Sequence, residues 1–230
     1  MQKAFNILVS AGMCILVIIS SWMLVRLKIT EPTKREDLIA AYFKEDNNRI
    51  KSLAESVMTT EGVLYIPSID LKTPVFTGTS EEAISLGAGI VETTGTLSDE
   101  MGNTVITSHN GSNESTLFIN LDKLKKDDYF YIKIDDIIKR YQVFHTEVVS
   151  PNNEWDTFLK PGPNERYITL RTCTPVYVNT DRLHVVAKEV DLVDSIPKSK
   201  SVWSSFEIVL LIVASISFIL FIISLRNIKQ

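Results

Sequence analysis

The chain has 230 residues, with 24 basic and 28 acidic side chains and a formal net charge of −4 at pH 7. This balance lacks the basic excess that marks a nucleic-acid-binding surface. Two long apolar runs lie near the ends. The roughly 180 residues between them are enough for one domain with its own core.

The first apolar run, Phe5 to Val25, contains no charged residue. About 20 apolar residues in a helix span the hydrocarbon core of a bilayer, so the run predicts a membrane-spanning helix. Trp22 lies near its end, where amphipathic rings favour the membrane interface. A cleaved signal peptide is the alternative. The length of the run and the lack of a small-x-small cleavage site favour the membrane helix.

Residues 33–60 predict a helical segment, because they are charged, contain no Gly or Pro and place apolar residues at roughly helical spacing. From Gly62 the pattern changes to β-like runs separated by Gly, Pro, Asp and Ser. The predicted strands are Val63–Pro67, Pro74–Phe76, Gly89–Val91, Thr104–Thr107, Tyr129–Ile134, Ile137–Val149, Tyr167–Thr172 and Arg182–Val190. The predicted short helices are Glu81–Leu86, Leu117–Leu124 and Asp156–Leu159. Many short strands with few helices indicate a mainly β sandwich or barrel.

The second apolar run, Phe206 to Leu225, carries one charge, Glu207, near its edge, and Trp203 precedes it. A buried helix is possible, but uniform apolarity at the end of the chain favours a membrane anchor. Two spans place both termini on one side of the membrane and the central domain on the other. Basic residues flank both sides, so the charge rule does not decide which side is cytoplasmic.

Cys173 is the one cysteine outside the apolar ends, because Cys14 lies within the first run. An internal disulfide is therefore implausible, and Cys173 is a candidate nucleophile. Arg182 follows in the next strand-like run. It supplies a cation for the oxygen that becomes negative in acyl transfer. A lone cysteine is more often a small buried hydrophobic residue, so this pair needs further support.

Three histidines are candidates for the proton-transfer partner of the thiol. His109 ends a β-like run before the turn signal Asn110-Gly111, and catalytic groups commonly lie at such a position. His145 lies inside a long predicted strand, which favours a structural role. His184 shares a strand face with Arg182, because alternate residues point the same way. On geometry alone, His109 and His184 both stay open.

The motifs resemble those of sortases, the membrane-bound cysteine transpeptidases of Gram-positive bacteria. Thr169–Cys173 is similar to the family signature T-L-x-T-C, and the chain keeps the family's order of His, Cys and Arg. Further segments resemble the class C, pilus-assembling branch: Cys173–Pro175, Asn179–Leu183, Leu86–Gly89 with Glu92 and Thr94, Ser108–Gly111, and Leu117–Leu124. The C-terminal apolar span is also typical of that class.

The resemblance implies a closed sortase β-barrel of about eight strands with short helices, an N-terminal helical segment and two flanking transmembrane helices. It implies that Cys173 is the nucleophile, that His109 transfers protons, and that Arg182 holds substrate and stabilises the oxyanion. His184 then takes a structural role. No metal or organic cofactor is expected.

Two features depart from class C. Val176-Tyr177 stands where the family commonly has Tyr-Gly, and no Asp-Pro dipeptide occurs in the chain. The Asp-Pro-aromatic lid that plugs many class C active sites is therefore not identified, although residues 33–60 offer another possible cover.

The resemblance implies an enzyme on the outer face of the membrane. It would cleave an L-P-x-T-G-like sorting signal between Thr and Gly through a Cys thioester, and transfer the acyl group to a pilin lysine. Two alternatives stay open: a sortase that anchors surface proteins to peptidoglycan, and a non-catalytic membrane-tethered β-barrel that binds a partner. The expected organisation is a cytoplasmic N-terminus (1–4), a transmembrane helix (5–25), a helical juxtamembrane segment (26–61), a catalytic barrel (62–193), a linker (194–205), a transmembrane helix (206–225) and a cytoplasmic tail (226–230).

Overall fold

The computed structural model describes residues 2–25, 36–37, 39–40, 59–111, 117–176, 178–199 and 205–229. It divides into a unit of the two terminal segments, Met1–Pro32 with Trp203–Gln230, and a unit spanning Thr33–Val202. In chain order the elements are α1 (Gln2–Val25), β1 (Thr60–Ile66), a 3-10 turn (Pro67–Ile69), β2 (Leu71–Thr77), α2 (Glu81–Leu86), β3 (Ala88–Ile90), β4 (Gly102–Thr107), a 3-10 turn (Leu121–Lys123), β5 (Tyr129–Ile134), β6 (Ile137–Val149), α3 (Glu154–Thr157), β7 (Arg166–Thr174), β8 (Asp181–Leu192) and α4 (Ser205–Lys229).

The eight strands form one closed barrel in the order β1-β2-β3-β4-β7-β8-β6-β5. Strand β5 pairs with β1 and closes it. The β2–β3 and β4–β7 pairs are parallel, and the other neighbours are antiparallel. The mainly β fold predicted from the sequence, with a closed barrel of about eight strands, is confirmed.

The barrel interior is filled by apolar side chains that alternate with outward-facing residues along each strand. Strand β5 contributes Phe130 and Ile132, and β7 contributes Ile168 and Leu170, all fully buried. The rings of Phe130 and Tyr141 stack with centroids 5.4 Å apart. This packed interior leaves no room for substrate, so chemistry must occur on the outer face or at a barrel end.

The terminal helices α1 and α4 pack against each other, and the Ser10 hydroxyl donates a 2.7 Å hydrogen bond to the Ser224 hydroxyl. Small polar residues of this kind let helix backbones approach closely in a membrane. The ranges Ile7–Val25 and Glu207–Arg226 are long and apolar enough to cross a bilayer by length and composition. The two apolar terminal helices predicted from the sequence are therefore present.

Two predicted helices differ from the structure. Residues Leu117–Leu124 form turns followed by a 3-10 turn, because the buried residues Phe118, Leu121 and Leu124 recur every three positions, as that geometry requires. Helix α3 begins at Glu154, two residues before the predicted start. Most of the predicted helical segment 33–60 lies outside the described residues. Its four described residues are helical, and Glu36 forms a 2.7 Å ion pair with Lys72 on β2.

Candidate active site

Strands β7 and β8 bring the candidate nucleophile and the candidate cation together. In their antiparallel register Cys173 lies directly opposite Arg182. Directly opposed residues share one face of a sheet, with Cβ atoms about 4.5–5.5 Å apart. The register therefore places the Cys173 thiol beside the Arg182 side chain, on the outer face near the barrel rim.

The segment carrying His109 lies on the other side of β7. Strands β4 and β7 run parallel with Thr107 opposite Arg171, so continuing this register brings His109 level with Cys173. Three hydrogen bonds fasten the segment to β7. The Ser108 amide donates to the Arg171 carbonyl (3.4 Å), the Thr172 hydroxyl donates to the Ser108 carbonyl (2.8 Å), and the Asn110 side-chain amide donates to the Cys173 carbonyl (2.6 Å). The three sequence-predicted residues thus lie on three adjacent strand ends.

His109 is paired with a carboxylate that sequence reasoning missed. Its Nε2 lies 3.0 Å from Oε1 of Glu81, the first residue of α2. The His109 side chain is 22% exposed, so solvent and substrate can reach it. The contact fixes the direction of the imidazole ring, and a proton-transfer group must be positioned in this way. The two residues are too far apart in sequence for any local pattern to reveal this contact.

Arg182 has hydrogen bonds at one guanidinium nitrogen and an ion-pair contact at another. Its Nη1 donates to the carbonyls of Asn179 (3.3 Å) and Asp181 (3.0 Å). Its buried Nε has no hydrogen bond within the described part of the chain. This nitrogen lies 3.8 Å from Oε2 of Glu154, an ion-pair distance that is too long for a hydrogen bond. Among the described residues, Nη2 has no hydrogen-bond partner. This part of the guanidinium is available to an oxygen of a substrate.

Glu154 is a buried carboxylate beside these strands. It accepts two hydrogen bonds from Arg171, at 2.9 Å from Nε and 2.8 Å from Nη2. Arg171 also donates to the Thr107 hydroxyl on β4 at 3.2 Å. The Glu154 side chain is only 6% exposed, and such a buried carboxylate is stable only when it is well paired. Sequence analysis did not single out Glu154, because a glutamate in a polar segment gives no local signal of burial.

His184, the other histidine that strand geometry left open, is fully buried and does not reach solvent. Its ring stacks on Phe158 with centroids 4.6 Å apart, and its Nδ1 lies 3.7 Å from the Glu147 carboxylate. Burial lowers the pKa of His184 below its ordinary value of 6.5, the nearby Arg171 cation lowers it further, and Glu147 opposes both. These contacts favour the structural role. His145 lies on β6 with 41% of its side chain exposed, at 3.7 Å from Glu147.

The described residues contain no group of three His, Cys, Asp or Glu side chains arranged to hold a metal ion. The arrangement that is present consists of a thiol, a guanidinium and an imidazole. These groups suit nucleophilic acyl transfer, which needs a nucleophile, a proton-transfer group and an oxyanion partner.

Comparison with known protein families matches residues 64–190 to the sortase domain. This match covers more than half of the chain, and the chain therefore belongs to the sortase family. The resemblance noted from the motifs is confirmed. Its solved structural neighbours include class C pilus sortases, which supports the class C assignment.

Three relatives illustrate the similarity. The pilus-related sortase C of Group B Streptococcus is 36% identical, with a TM-score of 0.54 over 73% of this chain and 93% of that one. The sortase C of Streptococcus pneumoniae is 30% identical, with a TM-score of 0.54 over 78% and 98%. Sortase A of Bacillus anthracis is 32% identical over 129 residues, which is 56% of this chain. The match spans 59% of the length of that relative.

Proposed function

We propose that this chain is a cysteine transpeptidase that cleaves an L-P-x-T-G-like sorting signal between Thr and Gly and transfers the acyl group to an amine. The observation that carries the proposal is the direct cross-strand pairing of Cys173 with Arg182. It sets a nucleophilic sulfur beside a cation that can bind the oxygen of a carbonyl under attack. The motif resemblance and the sortase domain match support the same chemistry.

In the first half of the reaction, the Cys173 thiolate attacks the Thr carbonyl of the sorting signal. The carbonyl oxygen becomes an oxyanion. We assign its stabilisation to Arg182, through the guanidinium nitrogen that has no partner among the described residues, together with a backbone N–H. His109 as imidazolium then protonates the leaving Gly amine, while the C–N bond breaks and a thioester forms on Cys173.

In the second half, an amine attacks the thioester carbonyl. His109, now neutral, takes the proton that the amine loses, and the Cys173 thiolate leaves as the new amide forms. The thioester conserves the energy of the broken peptide bond, so the transfer needs no ATP. The Glu81 carboxylate, 3.0 Å from Nε2, holds the His109 ring in place during both halves of the reaction.

We propose a pilin lysine as the accepting amine, which makes the product an isopeptide-linked polymer. Support comes from two structural neighbours, the Pilus Island 1 sortase C2 and the pilus-related sortase C of Group B Streptococcus. The alternative acceptor is an amine of peptidoglycan. Incubating the full chain with a pilin substrate and peptidoglycan fragments that carry free amines separates the two. A ladder of covalent polymers supports pilus assembly, whereas single proteins joined to wall fragments support anchoring.

We further propose that α1 and α4 anchor the chain in the membrane of a Gram-positive bacterium, with the barrel on the extracellular face. Both helices are long and apolar enough to span it. Protease added to intact protoplasts tests this placement. Digestion of the barrel supports it, and protection until the membrane is permeabilised contradicts it.

A non-catalytic binding module is the remaining alternative. A thiol probe with a leaving group tests it, because a binding surface has no reason to keep Cys173 activated. Rapid labelling of Cys173 in the folded chain, compared with a free thiol of similar exposure, supports the enzyme.

A further inference from the structure

Strand register places two arginines close together on the outer face of the barrel. Cys173 lies opposite Arg182, and Arg171 lies opposite His184, so Arg171 and Arg182 are diagonal neighbours on the same face. Diagonal neighbours lie within reach of long side chains. Two guanidiniums in this position repel each other unless a negative charge lies between them.

Glu154 supplies that negative charge. Its Oε1 and Oε2 atoms each accept a hydrogen bond from Arg171. The Oε2 atom also lies 3.8 Å from the buried Nε of Arg182. The carboxylate is therefore shared unequally, with full hydrogen bonds to one arginine and an ion-pair contact to the other. One carboxylate between two guanidiniums leaves one net positive charge beside Cys173.

Arg182 depends on this contact for its orientation. The carbonyls of Asn179 and Asp181 bind Nη1 alone, so among the described residues no hydrogen bond holds the edge of the guanidinium formed by Nε and Nη2. The Glu154 carboxylate lies 3.8 Å from Nε and attracts this edge of the guanidinium electrostatically. With two corners held, the remaining nitrogen, Nη2, has a defined direction.

We propose that Glu154 is a positioning residue of the active site, which acts through Arg182 by fixing the guanidinium with Nη2 directed at the oxyanion. The inference rests on the proposed function and adds to it the residue that prepares Arg182 for catalysis. Glu154 does not touch the substrate. It changes the rate only through the arginine, and a misplacement of about 1 Å at a reacting group typically costs roughly 100-fold in rate.

The test is a double-mutant cycle in the full chain in detergent, with Glu154→Gln, Arg182→Lys and the double variant. Peptide cleavage in the presence of an acceptor amine gives kcat and KM, and thermal melting checks the fold. Glu165→Gln is the matched control, because Glu165 is also a carboxylate next to β7 but pairs with Lys188 and Tyr167 instead. We expect Glu154→Gln to lower kcat roughly 100-fold with KM little changed, because the contact acts in the transition state.

In the Arg182→Lys background, Glu154→Gln should add little further loss, because the residue through which it acts is already changed. Losses that multiply fully would overturn the inference, as would a Glu154→Gln variant with the wild-type kcat. If the Gln variant does not fold, Glu154→Asp takes its place in the cycle under the same criteria, since it keeps the charge but is one methylene too short to reach both arginines. A wild-type chain that forms no thioester overturns the proposed function itself, whereas an active wild type with an unaffected Glu154 variant overturns this inference alone.

Discussion

Cys173 on β7 lies directly opposite Arg182 on β8. The connection between the two strands contains the turn residue Asn179, whose φ is 63°. The pairing follows from the antiparallel register, which also aligns Thr174 with Asp181. Because two strands of a closed barrel fix this register, the thiol and the guanidinium are prearranged before substrate arrives. The proposed acyl-transfer chemistry depends on this pair of residues.

Changing Cys173 to Ala should abolish both peptide cleavage and acyl transfer while the barrel stays folded. Among the two cysteines of the chain, Cys14 lies in the apolar helix α1 and cannot replace it. Activity assays with a sorting-signal peptide, together with circular dichroism, check the result. Substantial turnover by the folded variant would contradict the mechanism.

Changing His109 to Ala should lower activity by roughly 100- to 10,000-fold, the usual contribution of a general acid–base group. Changing His184 to Ala should instead lower the melting temperature, because the ring is fully buried against Phe158. Steady-state kinetics and thermal melting of both variants make the comparison. A folded His184 variant that loses more activity than the His109 variant would reverse the assignment.

Changing Arg182 to Lys should lower kcat by roughly 100- to 1,000-fold, as for the loss of one oxyanion donor. An ammonium is a point charge and cannot bind the Asn179 and Asp181 carbonyls and a substrate oxygen with the fixed fork of a guanidinium. Measuring kcat and KM with one peptide tests this. Near-wild-type kcat in the Lys variant would show that charge alone is sufficient.

Short β-like runs separated by turn-forming residues predicted the strands of the fold well. The bounds of β5 and β6 agree with the sequence prediction, because runs rich in aromatic and β-branched residues are a local signal of strands. The acidic pair between them, Asp135-Asp136, lies at a turn. The apolar residues of 117–124 also suggested a helix. The buried residues recur every three positions, which is the spacing of a 3-10 turn. This spacing is so close to that of an α-helix that the sequence prediction did not separate the two.

Contacts between distant segments could not be predicted in the same way. Glu81 and His109 are separated by 28 positions, and Glu154 and Arg171 by 17. The pairing of β3 with β4 brings α2 near the end of β4, and the hydrogen bonds from Arg171 hold the start of α3 against β7. The choice of His109 over His184 came from the family resemblance, and the burial of His184 supplies an independent physical reason for the same choice.

The protein should lose stability below about pH 6.5, partly because of His184. Burial lowers its pKa in the folded state, so the unfolded chain binds the proton more readily. The stability that the neutral His184 ring contributes is fully present above the pKa that His184 has in the unfolded chain. It is lost as the pH falls from that value towards the lower pKa of the folded state. Because Phe keeps an aromatic ring against Phe158, His184→Phe should melt with a smaller decrease between about pH 7.5 and about pH 5.5 than the wild type.

The control for this pH effect is His145→Gln, since His145 is 41% exposed. The His145→Gln variant should show the same decrease in melting temperature between about pH 7.5 and about pH 5.5 as the wild type. An equal decrease in the wild type and the His184→Phe variant would show that other groups, such as the neighbouring Glu147 and Glu154, determine the acid sensitivity.

The active site should be open without removal of any N-terminal segment. The chain has no Asp-Pro dipeptide for the lid of class C sortases, and Glu36 contacts Lys72 on β2 rather than the strands that carry the site. Fragments of residues 33–194 and 59–194 should label at Cys173 with a small thiol probe at similar rates. A large increase in the shorter fragment, with its barrel folded, would show that the N-terminal segment covers the site.

The most direct test of the central claim is mass spectrometry of the full chain after incubation with an L-P-x-T-G-like peptide and no acceptor amine. The proposed thioester mechanism predicts a covalent adduct on Cys173. The adduct should have the mass of the peptide up to its Thr and should be released by hydroxylamine. Peptide cleavage without an adduct on Cys173, or an adduct at another residue, would contradict it.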